Sequence, residues 1–212
     1  MSTTQTDRHL VLGTPMHGPW PEGTEVLYVA MGCFWGVERI FWQLPGVVTT
    51  AAGYQGGTVP HPTYEQVCTG RTGHAETVLV AYDPTRTSPE LLLKAFWENH
   101  DPTTPNRQGN DIGTQYRSAI FWTTPEQERA ARVTRAAFEQ IITAAGHGRI
   151  VTELTSAQEA GEFWYAEEYH QQYLQRNPGG YCNHGPNGYT CPVGLLTSGE
   201  STPAQTEVLP PR

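Results

Sequence analysis

The sequence predicts an α+β fold, in which helices pack on a mixed β-sheet and a long irregular C-terminal segment follows. Short apolar and β-branched runs of strand length alternate with longer stretches in which apolar residues recur at helical spacing. Two of the longer stretches open with the same helix-start signal, a Ser or Thr followed by Pro and Glu. The sequence lacks the glycine signature of a dinucleotide-binding crossover, so the alternation favours a sheet with helices packed on it.

The predicted elements begin after residue 24. Residues 25–31 are typical of a buried strand, and residues 35–43 of a helix that Leu44-Pro45-Gly46 ends. The remaining patterns predict strands over residues 47–52, 76–82, 117–123 and 149–154, and helices over residues 88–99, 124–145 and 163–174. Five strands and two or three long helices fit a two-layer, ferredoxin-like core.

The length of 212 residues indicates one domain with a core of its own. Residues 1–23 are polar and contain Pro and Gly, which predicts a mostly extended N-terminal arm. The folded domain is predicted over residues 24–194, and residues 195–212 have the composition of a disordered tail. Residues 100–116 and 177–212 show no period, and irregular segments of this length are often functional.

Charge and hydropathy exclude several classes of partner. Thirteen Lys and Arg against 21 Asp and Glu give a formal charge of −8, without the basic stripe of a nucleic-acid-binding surface. We find neither an uninterrupted apolar run long enough to cross a membrane nor the apolar region of a signal peptide. The sequence therefore predicts a cytoplasmic protein without nucleic-acid or membrane partners, and we expect a monomer.

Cysteine placement points to redox or nucleophilic chemistry, because static disulfides are improbable in a reducing compartment. Cys33 lies in the turn between the first strand and the first helix, where the helix N-terminus favours a thiolate; a small buried core residue is the alternative. Cys68 lies in a predicted turn and is interpreted as structural or incidental. Glycines around Cys182 and Cys191 suit thiols that travel to another sulfur, whereas a zinc site with His184 lacks the usual short cysteine spacing.

A nucleophilic thiol needs groups that stabilise or protonate its reaction partner. Glu76 would be a proton donor if an apolar pocket raises its pKa, and otherwise a surface residue that begins a strand. Tyr64 and Tyr116 could donate hydrogen bonds to an oxygen that gains charge, or could be ordinary half-buried aromatics. Phe34 and Trp35 would wall an apolar pocket beside the thiol, or simply pack at the helix start.

Five fragments in order resemble the A-type peptide methionine sulfoxide reductases. They are GCFWGVE at 32–38, PTYEQVCTGRTGHAE at 62–76, QGNDIGTQYRSAI at 108–120, YHQQYL at 169–174 and NPGGYC at 177–182. The resemblance covers residues 24–194 and implies a catalytic domain that needs no cofactor or metal. It implies reduction of methionine S-sulfoxide, free or in oxidised proteins, with thioredoxin as the reductant.

The resemblance also implies roles for the candidate residues. Cys33 would attack the sulfoxide sulfur and become a sulfenic acid, while Glu76 would protonate the departing oxygen. Tyr64 and Tyr116 would hydrogen-bond that oxygen as its charge develops.

Three further positions would bind or organise the substrate, and two would recycle the enzyme. Phe34 and Trp35 would hold the S-methyl group, and Asp111 matches a position that helps to organise the site. Cys182 would attack the sulfenic acid and Cys191 would carry the disulfide outward, although the order of the two is left open by the variability of this segment in the family.

Two other functions are compatible with parts of the sequence. A cysteine hydrolase with a histidine base would form an acyl-enzyme and would work without a reductant. A zinc-binding interaction module would use the Cys and His residues of the C-terminal segment.

Overall fold

The computed structural model describes residues 7–196 of the chain. Its strands are β1 (Glu25–Met31), β2 (Val47–Gln55), β3 (Ala75–Tyr82), β4 (Arg107–Gln108), β5 (Asp111–Ile112), β6 (Ser118–Trp122), β7 (Glu153–Ser156) and β8 (Trp164–Tyr165). Its helices are α1 (Phe34–Trp42), α2 (Tyr64–Cys68), α3 (Pro89–Glu98), α4 (Pro125–Ala144), α5 (Ala157–Ala160) and α6 (Tyr173–Arg176).

Six strands form one sheet in the order β7-β6-β1-β3-β2-β8, and β4 pairs with β5 in a separate hairpin. Neighbours in the large sheet are antiparallel except β6 and β7, which are parallel. The crossovers β1-α1-β2 and β3-α3-β6 interleave, which produces the arrangement of a ferredoxin-like core. The predicted α+β fold with a mixed sheet is confirmed.

The two long helices begin as their sequences predict. Ser88 Oγ accepts the Leu91 N–H at 3.3 Å before α3, and Thr124 Oγ1 accepts the Gln127 N–H at 3.3 Å before α4. Each helix also has Pro in its first turn, where the missing N–H costs nothing. Helix α1 differs, because its N-cap is Cys33 and that side chain makes no capping hydrogen bond.

The main core lies between the sheet and helices α1, α3 and α4. All eight residues of β3 are buried, because both faces of the sheet are covered at this strand. On the helix side the large buried side chains include Phe34, Phe41, Leu92, Phe96, Trp97 and Phe138. The opposite face has small residues such as Ala30, Ala51, Ala81 and Ala119, on which Trp20 and Phe163 pack at one end and α5 at the other.

The predicted strand over 149–154 is displaced along the chain. Pairing with β6 begins only at Glu153, which is in register with Ala119. The preceding backbone turns toward α4 instead, where the Ile150 N–H donates to Glu139 Oε1 at 2.9 Å and its carbonyl accepts from Arg135 at 3.0 Å. The apolar pattern correctly predicted that this segment is partly buried, but its first residues pack against α4 and do not pair with a strand.

The predicted helix over 163–174 is wrong. The segment holds strand β8, a 3₁₀ turn at Glu168–His170 and the start of the short helix α6. Gln172 has a φ of +47°, which interrupts a helical backbone. Its side chain and backbone N–H bind the Glu38 carboxyl across the molecule, and these long-range hydrogen bonds select the local conformation.

The described part of the N-terminal segment, residues 7–23, is not an extended arm. His9 caps a turn, since its Nδ1 accepts the N–H groups of Val11 and Leu12 at 3.1 Å each. The ring is buried, and its Nε2 lies 2.8 Å from Thr50 Oγ1 on β2. A polar composition did not reveal this histidine as a packed residue.

The C-terminal segment is irregular, as predicted, but it is bound to the body of the domain. Asn187 Nδ2 donates to the carbonyls of Trp97 and His100 at 2.8 Å each, and its N–H donates to the Glu98 carbonyl. These bonds satisfy carbonyls at the C-terminal end of α3. The predicted disordered tail lies, from residue 197 onward, outside the described residues. In the described part of the chain, no helix is long and apolar enough to cross a membrane.

Candidate active site

The antiparallel pairing of β1 and β3 sets the geometry of the site. The C-terminal end of β1 lies beside the N-terminal end of β3, which brings Cys33 near Glu76. Gly32 turns the chain between β1 and α1 at a φ of +102°, and a Cβ there would lie 2.6 Å from the Cβ of Gln108. Glycine is required at this turn for both reasons.

Cys33 is a free cysteine with 7% of its surface exposed. Burial raises the pKa of its thiol far above the ordinary value, and the charge of Glu76 adds to the increase. The backbone N–H of Trp35 works in the opposite direction but is weaker. The expectation of a thiolate is therefore wrong for the substrate-free protein, because desolvation outweighs the helix N-terminus.

Glu76 is 2% exposed and accepts one hydrogen bond, from the N–H of Phe34 to Oε2 at 3.0 Å. Burial raises the pKa of its carboxyl to about 8, against the effect of that hydrogen bond. The group is therefore mostly protonated at neutral pH. Phe34 directly follows Cys33, so the hydrogen bond fixes the carboxyl relative to the thiol.

Two predicted tyrosines lie near this carboxyl. Tyr64 begins α2, and Tyr116 ends a 3₁₀ turn at Thr114–Tyr116. Burial raises the pKa of each phenol, and the charge of Glu76 is the second cause in both cases. Both hydroxyls therefore remain protonated and able to donate hydrogen bonds.

The two aromatic residues after Cys33 have different surroundings. Phe34 is buried in the main core, with its ring centroid 4.9 Å from that of His170. Trp35 is partly buried and stacks on Tyr173 at a centroid distance of 3.7 Å. Its indole N–H donates to His170 Nδ1 at 3.0 Å, which fixes the plane of the ring.

His170 and Glu167 support the site and were not singled out from the sequence. The His170 ring lies among the aromatic rings of Phe34, Trp35 and Tyr64. Burial opposes the ionisation of Glu167, but hydrogen bonds from the Tyr64 N–H and the Tyr54 hydroxyl, each 2.8 Å, keep its pKa below the ordinary value. His170 belongs to the fragment YHQQYL, so the resemblance marked the position without indicating its contacts.

The irregular segments contribute Asp111 and Cys182. The Asp111 carboxylate accepts from Asn183 Nδ2 at 2.8 Å and from the Tyr181 hydroxyl at 3.1 Å, so it binds the chain on either side of Cys182. The charges of Asp111 and Cys182 both act on the Cys33 thiol, as minor causes of its raised pKa. A Cβ on Gly36 would lie 2.8 Å from Cys182 Sγ, so the structure places Cys182 against the first turn of α1, which begins after Cys33.

Cys191 lies elsewhere. It is 1% exposed and packs in the main core beside α3, where its N–H donates to Glu98 Oε1 at 2.8 Å. Burial raises the pKa of its thiol to about 12. The structure thus groups all of the predicted site residues except Cys191.

Residues 7–196 contain no group of three or more His, Cys, Asp or Glu side chains arranged to bind a metal ion. His184 Nε2 lies 2.7 Å from the Met31 carbonyl oxygen, so it donates to the backbone. The alternative of a zinc site therefore has no support from the geometry of this segment.

Comparisons with known proteins agree with the geometry. The family model described as peptide methionine sulfoxide reductase matches residues 25–190. The peptide methionine sulfoxide reductase MsrA of Salinispora arenicola is 62% identical over 191 residues, which cover 89% of this chain and 86% of that protein. Methionine sulfoxide reductase A of Corynebacterium diphtheriae superposes with a TM-score of 0.75 at 48% identity, covering 87% of this chain and 88% of the other.

Mxr1 of Saccharomyces cerevisiae in its reduced form superposes with a TM-score of 0.67 at 34% identity, covering 82% of this chain and 95% of Mxr1. A structure of Mxr1 in complex with Trx2 superposes at 22% identity and shows the shared fold. The family model and the relatives cover nearly the whole described domain, including every fragment of the resemblance. The chain belongs to the peptide methionine sulfoxide reductase family, A type, whose members reduce methionine sulfoxide to methionine.

Proposed function

We propose that Cys33 removes the oxygen of a methionine sulfoxide and that Glu76 supplies the proton this transfer needs. The observation that carries the proposal is a buried carboxyl with a pKa of about 8, bound to the N–H next to the nucleophile. Oxide is an impossible leaving group, so the sulfoxide oxygen must be protonated as its bond to sulfur weakens. A carboxyl that keeps its proton at neutral pH is suited to this task.

The step balances as an oxygen transfer. The Cys33 sulfur attacks the sulfoxide sulfur, and the sulfoxide oxygen takes the proton of Glu76. The hydroxyl group then passes to the Cys33 sulfur: the bond between the two sulfurs and the substrate S–O bond break, and a Cys33 S–O bond forms. Methionine leaves reduced, and Cys33 becomes a sulfenic acid. Glu76 regains a proton from the Cys33 thiol, so the pair ends with one carboxyl and one S–OH group. Tyr64 and Tyr116 donate hydrogen bonds to the oxygen while it is negatively charged.

The apolar groups next to Cys33 bind the substrate. Trp35 is held in one orientation by Tyr173 and His170, so its ring can serve as a fixed wall for the S-methyl group. Phe34 extends this apolar environment into the core, and Asp111 orders the chain around Cys182. We assign the S epimer to the site on the basis of the A-type resemblance.

Cys182 recycles the sulfenic acid, and Cys191 transfers the resulting disulfide. Cys182 condenses with Cys33 to form a disulfide and water. Because Cys191 is buried next to α3, the C-terminal segment must leave its bonds to α3 before the second exchange. Thioredoxin is the reductant of the final disulfide, and the existence of a complex between the relative Mxr1 and Trx2 supports this assignment.

The catalytic domain spans residues 24–194, acts as a monomer and works in the cytoplasm, where thioredoxin maintains reduced thiols. The turns of residues 7–23 pack on it through His9. Free methionine sulfoxide and oxidised proteins are both substrates, which makes the enzyme a repair activity after oxidative damage.

A single-turnover count tests the proposal. Enzyme without reductant is mixed with separated epimers of methionine sulfoxide, and methionine and free thiols are measured. About one methionine per enzyme, from the S epimer only, with loss of about two thiols, is expected while Cys191 stays buried beside α3, because the reaction then stops at one Cys33–Cys182 disulfide. A yield of about two would show that the shuttle frees Cys33 to react again.

Two variants assign the steps. Cys33→Ser should yield no methionine, and methionine production by this variant would remove Cys33 from the mechanism. Cys182→Ala should yield one turnover without closing a disulfide, and thioredoxin should then fail to restore activity. Recycling of Cys182→Ala at the full rate would assign the attack on the sulfenic acid to Cys191.

A further inference from the structure

The thiol of Cys182 lies along the face of α1 that carries Cys33. Residues three apart in a helix share a face, so Gly36 and Arg39 continue the row that begins at Cys33. A Cβ on Gly36 would lie 2.8 Å from Cys182 Sγ and 2.4 Å from His184 Nδ1. The absence of a side chain at Gly36 therefore allows both groups to approach the helix backbone.

Arg39 supplies a positive charge to this sulfur. Its Nη2 donates to Cys182 Sγ at 3.1 Å. Within residues 7–196, no carboxylate lies within 4 Å of the Arg39 guanidinium, so its charge is not committed to a salt bridge. A guanidinium is protonated at every pH of interest and stabilises a neighbouring thiolate.

His184 lies beside the same thiol, and Cys182 Sγ donates to the His184 carbonyl oxygen at 3.8 Å. Its Nε2 donates to the Met31 carbonyl at 2.7 Å, which places the proton of the neutral ring on Nε2 and the lone pair on Nδ1. Nδ1 is buried and has no hydrogen-bond partner within residues 7–196. Burial lowers the pKa of the ring, so the resting imidazole is neutral and can accept a proton.

We infer that Arg39 and His184 activate the recycling thiol, Arg39 by stabilising the Cys182 thiolate and His184 by accepting its proton at Nδ1. The inference rests on the proposed role of Cys182. The thiolate attacks the sulfur of the Cys33 sulfenic acid, the S–O bond breaks, and an S–S bond forms. The hydroxide takes up a proton from solvent and leaves as water. His184 then releases to solvent the proton that it accepted from Cys182.

The size of the effect follows from thiol chemistry. For a thiol that is mostly protonated, a tenfold gain in thiolate is partly offset by weaker nucleophilicity and leaves about a threefold gain in rate. Arg39 is the cation that donates to the attacking sulfur, so its loss should slow disulfide formation about 3- to 30-fold. The charged or titratable groups in and around this cluster are Arg39, His184, Cys33, Asp111 and His100.

The test separates two rates within one turnover. After rapid mixing with methionine sulfoxide, methionine formation reports the first step. The lifetime of the sulfenic acid, measured by trapping with a dimedone-type probe, reports disulfide closure. The variants are Arg39→Gln, Arg39→Lys and His184→Gln. The amide nitrogen of the glutamine in His184→Gln can retain the hydrogen bond to Met31 while the base is lost.

Arg132→Gln is the matched control, because Arg132 lies on the exposed side of α4, where it pairs with Glu128 and stacks over the Trp122 ring. We expect Arg39→Gln and His184→Gln to slow closure about tenfold relative to methionine formation in the same sample. Arg39→Lys should restore part of the loss, because it returns a positive charge to this position. The ratio of the closure rate to the rate of methionine formation does not depend on how much of the sample is unfolded.

The inference is overturned if Arg39→Gln and His184→Gln have the same ratio of disulfide closure to methionine formation as Arg132→Gln. It is also overturned if both variants slow the two steps equally. Cys182→Ala, run alongside, tests the underlying role. If that variant still closes a disulfide at the parent rate, the role of Cys182 fails and the inference fails with it. If Cys182→Ala stops closure while the Arg39 and His184 variants do not slow it, the inference alone is wrong.

Discussion

Two of the buried glutamates, Glu38 and Glu76, differ in how many hydrogen bonds their carboxyl groups receive. Glu38 on α1 is 0% exposed and accepts three: from Thr50 Oγ1 at 3.0 Å, from Gln172 Nε2 at 2.7 Å and from the Gln172 N–H at 2.8 Å. Glu76 accepts one, from Phe34. Burial raises the pKa of both, to about 7 for Glu38 and to about 8 for Glu76.

The difference indicates two uses of a buried carboxyl. The donors around Glu38 come from β2 and from Gln172, which directly precedes α6, and His9 contacts Thr50. This carboxyl therefore connects distant parts of the chain to α1. Glu76 has unused acceptor and donor capacity beside the nucleophile, which is available to a substrate oxygen. We therefore expect substitution of Glu38 to affect stability and substitution of Glu76 to affect catalysis.

The largest expected effect is that of Glu76→Gln on methionine formation. Glutamine has the same shape and can still accept the Phe34 N–H, but it is a very weak acid. A loss of about 10²- to 10³-fold in the single-turnover rate is expected from the loss of general acid help. Rapid-quench measurement of methionine at pH 7 checks it. A rate within a factor of about three of the parent would place the proton donor elsewhere.

Glu38→Gln should instead destabilise the protein. The amide nitrogen must face either the Thr50 and Gln172 side chains or the Gln172 N–H, and in each case two donors meet. Leaving such a buried donor unpaired costs about 1–3 kcal/mol of unfolding free energy. Denaturant unfolding at pH 7 measures the loss, with Glu76→Gln as the matched control that should lose less. Equal losses in the two variants would contradict the comparison.

Glu38 also illustrates what the sequence could not reveal. A glutamate in an amphipathic helix is ordinarily exposed, and the partner that makes Glu38 a buried group, Gln172, is 134 positions away. The same separation in sequence explains why the predicted helix over 163–174 is wrong. Hydrogen bonds to Glu38 fix the backbone there, and local patterns cannot specify such bonds. His170 and Arg39 were missed for this reason, since each acts through a residue more than 130 positions distant.

Features set by neighbouring residues were predictable. The caps at Ser88 and Thr124 gave two helix starts correctly, and the turn at Cys33 followed from an apolar run ending beside a helical pattern. The resemblance identified the candidate site residues from their fragments. The structure then gave burial as the reason why Glu76 keeps its proton. The thiolate prediction failed because a sequence shows that a helix begins at Cys33 but not how completely the thiol is buried.

The two carboxyls should separate in the pH dependence of stability. Both folded pKa values, about 7 and about 8, lie above the ordinary glutamate value of 4.5, so the folded state binds more protons than the unfolded state between these limits. Unfolding free energy is therefore highest below pH 4.5 and falls as pH rises, by at most about 1.4 kcal/mol per unit for each group. Glu38→Gln should flatten the curve up to about pH 7, and Glu76→Gln up to about pH 8.

Denaturant unfolding of the three proteins at intervals between pH 5 and pH 9 provides the curves. Differences between each variant and the parent cancel the contributions of other titrating groups. Between pH 7 and pH 8 Glu76→Gln should change the slope more than Glu38→Gln does, because Glu38 loses more of its proton at lower pH in the parent. A larger slope change for Glu38→Gln than for Glu76→Gln in that interval would contradict the comparison.

The smallest effect expected is on the rate of the first step as pH rises. If Glu76 must be protonated, the rate of methionine formation is constant well below pH 8 and falls about tenfold per pH unit above it. This holds over the pH range in which Cys33 keeps its proton. Glu38→Gln should keep this profile, because its carboxyl ionises without touching the substrate, whereas Glu76→Gln should lose it. Single-turnover rates from pH 6 to pH 9.5 make the comparison. A descending limb that survives in Glu76→Gln belongs to another acid, for which Tyr64 and Tyr116 would be examined next.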